Sequence, residues 1–468
     1  MANKDTLEGK EINSRFMAAA AQVDITPPLG TFINGDFINH YARFIHDRLF
    51  CKTLVLKTPE RLLAITVVDI CEMPVHYVNE IKALIYKETQ LAHDNIMISS
   101  THTHAAGAVD GMLLSSVDMA YRQKLPGLIL ESVRNALKDI KPAKIAFGRT
   151  DVPEHVRCRR YVMKEGYLAE NPTTGKPDKI KTNPFGAEQL IDRPAAATDP
   201  ELSVLAVKGL DEQWIAVLGN YSLHYVGDWP DDTISADYFG EFGRQIKKAL
   251  NAGDDFVGMM SNGTSGDVNI WDFMKTGNYP AGHFEKTKVI AGDLSAKAIT
   301  ALEHALWEMD PKLEVKYETV ELTIRKPTAE QLSAAAKTVI ETDYANLKLE
   351  DDGMFKIYAR EQILLNEFPD SCRLPLQVFR IGETTIGMLP GEFFAETGLW
   401  LKYKMAGKNY FTITLANGCE GYIPPAHELE KGGYEAWLAR TSCLEENAEN
   451  KIKNKLLTML QSGYVPAF

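Results

Sequence analysis

Residues 49–58, LFCKTLVLKT, and residues 61–70, RLLAITVVDI, are two apolar, β-rich runs separated by Pro59-Glu60. That spacing predicts a β-hairpin. VHYVNEIKALIYKETQLA (75–92) follows, with apolar residues at helical spacing. NIMISS (95–100) then reads as a short buried strand. Two strands, a helix and a strand in succession place the chain in the α/β class.

The same alternation extends in both directions. FMAAAAQVDIT (16–26) reads as a strand ended by Pro27-Pro28-Leu29-Gly30. Downstream, the pattern predicts a helix over 119–140, with Pro126 as a break or kink. Strands follow at 144–150, 202–209 and 214–222, then a helix at 236–252, a strand at 255–261 and an amphipathic helix at 286–306. The remainder reads as a strand (312–324), a helix (328–348) and a hairpin (376–390) turning near Gly382, then a helix from Gly391, a strand (411–417) and a closing helix (445–463). Thr328 followed by Gln331 forms a capping-box start. The expected architecture is mixed β-sheets flanked by helices, in one domain over 16–468 preceded by a polar arm at 1–15. Residues 163–200, rich in Pro, Gly, Lys and Asn, form a long excursion read as a functional loop or lid. No internal sequence repeat is visible.

The 468 residues carry 51 Lys+Arg against 63 Asp+Glu, a formal charge of −12. That balance argues against non-specific nucleic-acid binding, which needs a positive footprint, and against adhesion to anionic membranes. No apolar run approaches the ~20 residues that span a bilayer, so no stable membrane insertion is expected. MANKDTLEGKEINSRF lacks the apolar core of a leader. With six scattered cysteines and no C-x-x-C, the expectation is a cytoplasmic protein. The oligomeric state is not encoded legibly.

Chemistry concentrates at a few points. Thr101-His102-Thr103-His104 follows the strand at 95–100. An extended chain there would turn both imidazoles to one side, at the strand end where open α/β sheets place ligands. Paired imidazoles in that position suit a transition metal as well as a merely hydrogen-bonded pair. His224 follows the strand at 214–222 and is a candidate third ligand. Leu389-Pro390-Gly391-Glu392 reads as a strand–helix junction whose carboxylate either serves the helix dipole or binds metal. SNGTSGDVN (261–269) is a small-residue turn with no Walker lysine and no nucleophile elbow; it reads either as a loop whose backbone N–H groups approach a ligand closely or as a tight turn capped by Asp267. Arg157-Cys158-Arg159-Arg160-Tyr161 offers an anion clamp, or a solvated basic patch.

Taken in order, THTH, CRRY, NYSLH, GDVN, LPGE and GYIPPAHELEKGGYEA resemble the catalytic N-terminal domain of the neutral/alkaline, non-lysosomal ceramidases. QVDITPPLG, IHDRLFCKTLVL and ITVVDI match its opening strands, so the resemblance spans roughly residues 17–468. It implies one zinc ion per chain, held by His102, His224, Glu392 and Tyr422. It also implies catalytic roles for His104, Tyr434 and Arg159, with Arg160 as the adjacent alternative. The implied activity is hydrolysis of an N-acyl (amide) bond in a small-molecule or lipid-like substrate. The turn at 261–269 is one residue longer than the family's between Asn262 and Gly266, and the acidic chain favours a small polar amide over a membrane lipid. The competing expectations are a zinc hydrolase of an ester or sugar-linked bond, and a non-catalytic binding protein on a hydrolase scaffold.

Overall fold

One unit occurs three times: a three-stranded antiparallel meander, a crossover helix, a fourth strand parallel to the third, and a second helix. In the first unit, β1 (Met17–Asp24), β2 (Phe50–Lys57) and β3 (Leu62–Val68) form the meander. Helix α1 (Val75–Thr89) leads to β4 (Ile96–Ser100), parallel to β3, and α2 (Met119–Lys138) follows. The second unit comprises β5 (Lys141–Asp151), β6 (Glu201–Gly209), β7 (Trp214–Tyr221), α3 (Asp237–Ala249), β8 (Val257–Asn262) and α4 (Glu285–Glu303). The third starts with β9 (Leu313–Thr323) and inserts α5 (Ala329–Glu341) and α6 (Gly353–Asn366). It resumes with β10 (Ser371–Ile381), β11 (Thr384–Met388), α7 (Ala395–Lys404), β12 (Asn409–Ile413) and α8 (Ala448–Gln461).

This computed structural model describes residues 15–167, 169–275, 279–349 and 352–462. Nearly all of the polar arm, residues 1–14, lies outside them, as does Gly463 at the end of the closing helix. Units one and two share a sheet in the order β8-β7-β6-β5-β1-β2-β3-β4, joined where Met17 and Ala18 pair with Pro142 and Lys141. Unit three forms a second sheet, β9-β10-β11-β12. The mixed α/β architecture expected from the sequence is the one observed.

Strand parity explains the packing. Leu54 and Leu56 of β2 face a central core with Leu205 and Val207 of β6 and with Phe379 and Ile381 of β10. Cys51 and Val55 of β2 face outward, beneath Ile81 of α1 and Val133 of α2. The second unit covers its outer face with Phe242 and Ile290, the third with Leu401 and Ile452. Strands buried on both faces read as near-continuous apolar runs, as LLAITVV (62–68) does.

Several expectations are revised. The excursion at 163–200, read as a loop or lid, carries short strands: Arg160–Met163 pairs with Ile180–Thr182 and Ile191–Pro194, and Lys179 N–H donates to the Lys431 carbonyl. The helix expected at 328–348 ends at Glu341, and α6 was not foreseen. The capping box at Thr328 is present. Pro126 sits inside an unbroken α2. The Arg122 carbonyl, one turn back, loses its donor there and accepts from the Tyr77 hydroxyl instead. No helix among the described residues is long and apolar enough to cross a membrane, and all six cysteines are free.

Helix α3 lies directly on β8 because Gly243 meets Gly258. A Cβ at 258 would stand 2.7 Å from the Gly243 carbonyl oxygen. Gly258→Ala should therefore cost about 1–3 kcal/mol through overpacking, read as a lower urea midpoint at unchanged slope.

Candidate active site

The three parallel strand pairs end at matched rungs: Val68 with Ser100, Tyr221 with Asn262, and Met388 with Ile413. The residues just beyond these carboxyl ends converge. His102 follows β4, His224 follows β7 and Glu392 follows β11, one from each unit.

His102 does not reach the site by strand alternation. Thr101 and His102 donate their N–H groups to Val68 and Ile70, and His102 takes a positive φ of 77°. Its Nδ1 lies 2.9 Å from the Cys71 carbonyl. A carbonyl only accepts, so Nδ1 carries the proton and Nε2 presents a lone pair. That Nε2 is 3.3 Å from Glu392 Oε2 and 3.3 Å from His104 Nε2.

Glu392 is likewise placed differently from expectation. It does not open a helix, since α7 begins at Ala395. Glu392–Phe393 is a short strand paired in parallel with Tyr422–Ile423, with Glu392 opposite Tyr422. The close approach depends on Gly391, whose missing Cβ would stand 2.9 Å from the Gly421 carbonyl oxygen. Nor does Asp267 cap its own turn. Its Oδ1 accepts from Ala395 N–H at 2.7 Å, at the start of α7. Gly266 N–H donates to the Phe393 carbonyl at 2.8 Å, so the small-residue turn props the Glu392 strand.

Glu392 Oε2 and His224 Nδ1 are buried without a hydrogen-bond partner and lie 4.0 Å apart. A buried carboxylate oxygen with no donor is costly, and these atoms share their space with the His102 lone pair. Ligand atoms about 2.1 Å from one ion stand about 3.4 Å apart in a tetrahedron, so the trio fits a small divalent cation. Burial and the charge of Arg159 hold His224 well below the usual histidine range, leaving it neutral as a ligand must be. Cys71, His102 and His104 form an overlapping group. Burial pushes the Cys71 thiol well above its usual range, so it remains protonated and ill suited to metal.

The remaining expected residues surround this trio. His104 stacks on Tyr225 with ring centroids 3.6 Å apart. Burial, then His102 and Arg159, depress its pKa well below the ordinary value. Tyr422 and Tyr434 meet edge to face at 5.8 Å, and the Arg159 guanidinium lies 5.5 and 5.1 Å from their ring centres. Burial raises both phenols well above their usual range.

Arg159 and Arg160 are buried, whereas Arg157 is half-buried and pairs with Asp272. Arg159 donates to Glu435 Oε1 (3.0 Å) and to the Gly266 carbonyl (2.6 Å), with Nη1 3.4 Å from His224 Nε2. Arg160 turns away, to Glu435 Oε2 (2.9 Å), the Glu428 carboxylate and two carbonyls. The geometry thus separates the two neighbours, and only Arg159 touches the site.

A cavity of about 260 Å³ opens over His102, His104, Glu392, Tyr422 and Tyr434. Sequence reasoning missed Glu72, Tyr225 and Tyr358, which also line it, and Glu435, which holds both arginines. Glu72 lies four residues past β3 as Glu392 lies four past β11, a signal visible only once the units are aligned. His46 stacks on Phe284 and Asp47 bonds Ala236 N–H and Arg244, both away from this cavity.

No family model matches the chain, and no curated protein matches it. Among solved structures, the fold defines a class: the chain has the neutral ceramidase fold. The neutral ceramidase from Pseudomonas aeruginosa matches with a TM-score of 0.71 at 16% identity, over 96% of this chain and 74% of that one. A ceramidase complexed with C2 matches with a TM-score of 0.69 at 16% identity, over 97% and 77%.

Two measurements check this site. Glu435→Gln leaves two buried guanidinium groups underpaired and should cost about 3–5 kcal/mol in unfolding free energy. In the metal-free protein, ¹⁵N shifts should show His104 and His224 still neutral at pH 6. Between their lowered values and the ordinary 6.5, the unfolded chain binds protons that the native state does not. Each therefore costs stability as pH falls through that window, by up to about 1.4 kcal/mol per pH unit.

Proposed function

We propose that the protein is a zinc-dependent hydrolase of amide (N-acyl) bonds. The observation that carries this reading is the meeting of the His102 Nε2 lone pair, His224 Nδ1 and Glu392 Oε2 beneath a cavity. His102, His224 and Glu392 would hold the ion, with Tyr422 beside Glu392 as the fourth group. Two imidazoles and a carboxylate are a donor set suited to catalytic zinc. When bound, zinc supplies Lewis-acid activation of water near neutral pH.

The chain's own residues account for the remaining steps. His104 is neutral and lines the cavity, partly buried, so it accepts the proton of the attacking water. As the carbonyl carbon becomes tetrahedral, its oxygen gains charge. The Arg159 guanidinium, fixed by Glu435 and the Gly266 carbonyl, and the Tyr434 hydroxyl stabilise that charge. The C–N bond then breaks, and His104 returns its proton to the departing nitrogen, releasing an acid and an amine. The resemblance in motif order and the ceramidase fold both support this assignment of roles. The folded 163–194 segment, which supplies Asn183 to the cavity wall, acts in this reading as a fixed wall of the site.

Elemental analysis of the purified protein should find about one zinc per chain. His102→Ala should lose the metal and at least a thousandfold of amide hydrolysis together. A metal-free variant with full activity would sink the proposal.

A further inference from the structure

The cavity wall is unusual for a site handling long alkyl chains. Tyr225, Tyr358, Tyr422 and Tyr434 all line it, and none of their hydroxyls has a hydrogen-bond partner among the described residues. Tyr358 is only 1% exposed, its ring packed edge to face against Trp437 at 5.1 Å. Glu72, also buried, adds a carboxyl whose one donor among the described residues is the Cys419 thiol at 3.2 Å. Polar groups that face a cavity without a protein partner are served by water or ligand. Met112 and Leu113 provide an apolar part of the same wall.

Size narrows the choice further. The cavity has a volume of about 260 Å³. It lies just below the range usual for drug-sized ligands. A volume of that size suits a compact molecule better than one with two long hydrocarbon chains.

Resting on the amidase reading above, we propose that the cavity selects a short-chain N-acyl derivative of an amino sugar or amino-polyol. Tyr225, Tyr358 and Glu72 read the substrate's hydroxyls, and Met112 and Leu113 face the short acyl group. A site built to hydrogen-bond hydroxyls rejects an analogue lacking them, because its own buried groups are then left unpaired. The reaction adds water across the amide, giving a short carboxylic acid and the free amino sugar or amino-polyol.

The test compares N-acetyl-D-glucosamine, its open-chain alcohol N-acetyl-D-glucosaminitol and N-hexylacetamide, by calorimetry on the metal-free protein and by turnover after zinc loading. The expected result is binding of at least one hydroxylated probe, and a kcat/KM for it at least a hundredfold above that for the alkyl amide. Tyr358→Phe, with an unchanged thermal midpoint, should weaken that binding about tenfold and lower the ratio of the two kcat/KM values equally. The sugar and the open-chain probe separate the two sources of this chemistry. Equal or better use of N-hexylacetamide overturns the proposal while leaving the amidase reading intact. Failure of both hydroxylated probes to bind overturns it too, as does Tyr358→Phe behaving as wild type. Tyr358-dependent binding with no hydrolysis of any amide supports the cavity's selectivity and counts against the amidase reading instead.

Discussion

One carboxylate oxygen organises the centre of this molecule. Glu392 Oε2 is buried and has no hydrogen-bond donor, yet the surrounding chain is built to keep it there. Gly391 lets the strand approach Gly421, Gly266 donates to the next carbonyl, and Asp267 secures the start of α7. On the far side, the Cys71 carbonyl fixes the His102 tautomer so that a lone pair, not a proton, faces the oxygen. Such an arrangement forgoes hydrogen bonds that a core would ordinarily make. It is intelligible as preorganisation for a cation.

The buried charges around this point are arranged to balance. Glu435 accepts from Arg159 with one oxygen and from Arg160 with the other. The two arginines share an anchor but differ in duty: Arg160 ties the 428–435 segment to the small sheet at 160–194, and Arg159 is held against His224. The 160–194 segment also bonds the Arg159 backbone through Asn183 N–H and lines the cavity with Asn183. Geometry of this kind is what electrostatic stabilisation of a developing oxyanion requires.

Much of the fold was legible because strands buried on both faces announce themselves. The runs at 49–70 and 202–222 match β2–β3 and β6–β7 within a residue or two. Helix α6 was missed because its apolar positions follow a charged stretch that blurred the period. The threefold repetition was invisible because it lives in topology, not in residue identity. At the site, strand-end histidines were legible as such, but their convergence was not. His102 leaves the ladder with a positive φ, so strand parity gave the right neighbours for the wrong reason. Glu392 was read into a helix because Pro-Gly-Glu is also how helices begin; only its partner strand, thirty residues on, reveals otherwise. Tyr422 and Tyr434 carry no local signal at all and entered through the resemblance alone.

The repetition has a kinetic consequence. Each unit covers its outer face with its own helices, using contacts near in sequence. Its inner face, by contrast, is satisfied only by the other two, and β10 and β11 enter that shared core from beyond residue 370. Local contacts close quickly, while those between distant segments must first meet the entropy of a long loop. During synthesis, the first two units emerge with an apolar sheet surface awaiting the third. A nascent chain of this design spends its vulnerable interval as a one-sided sheet, the form most open to capture by chaperones or to self-association.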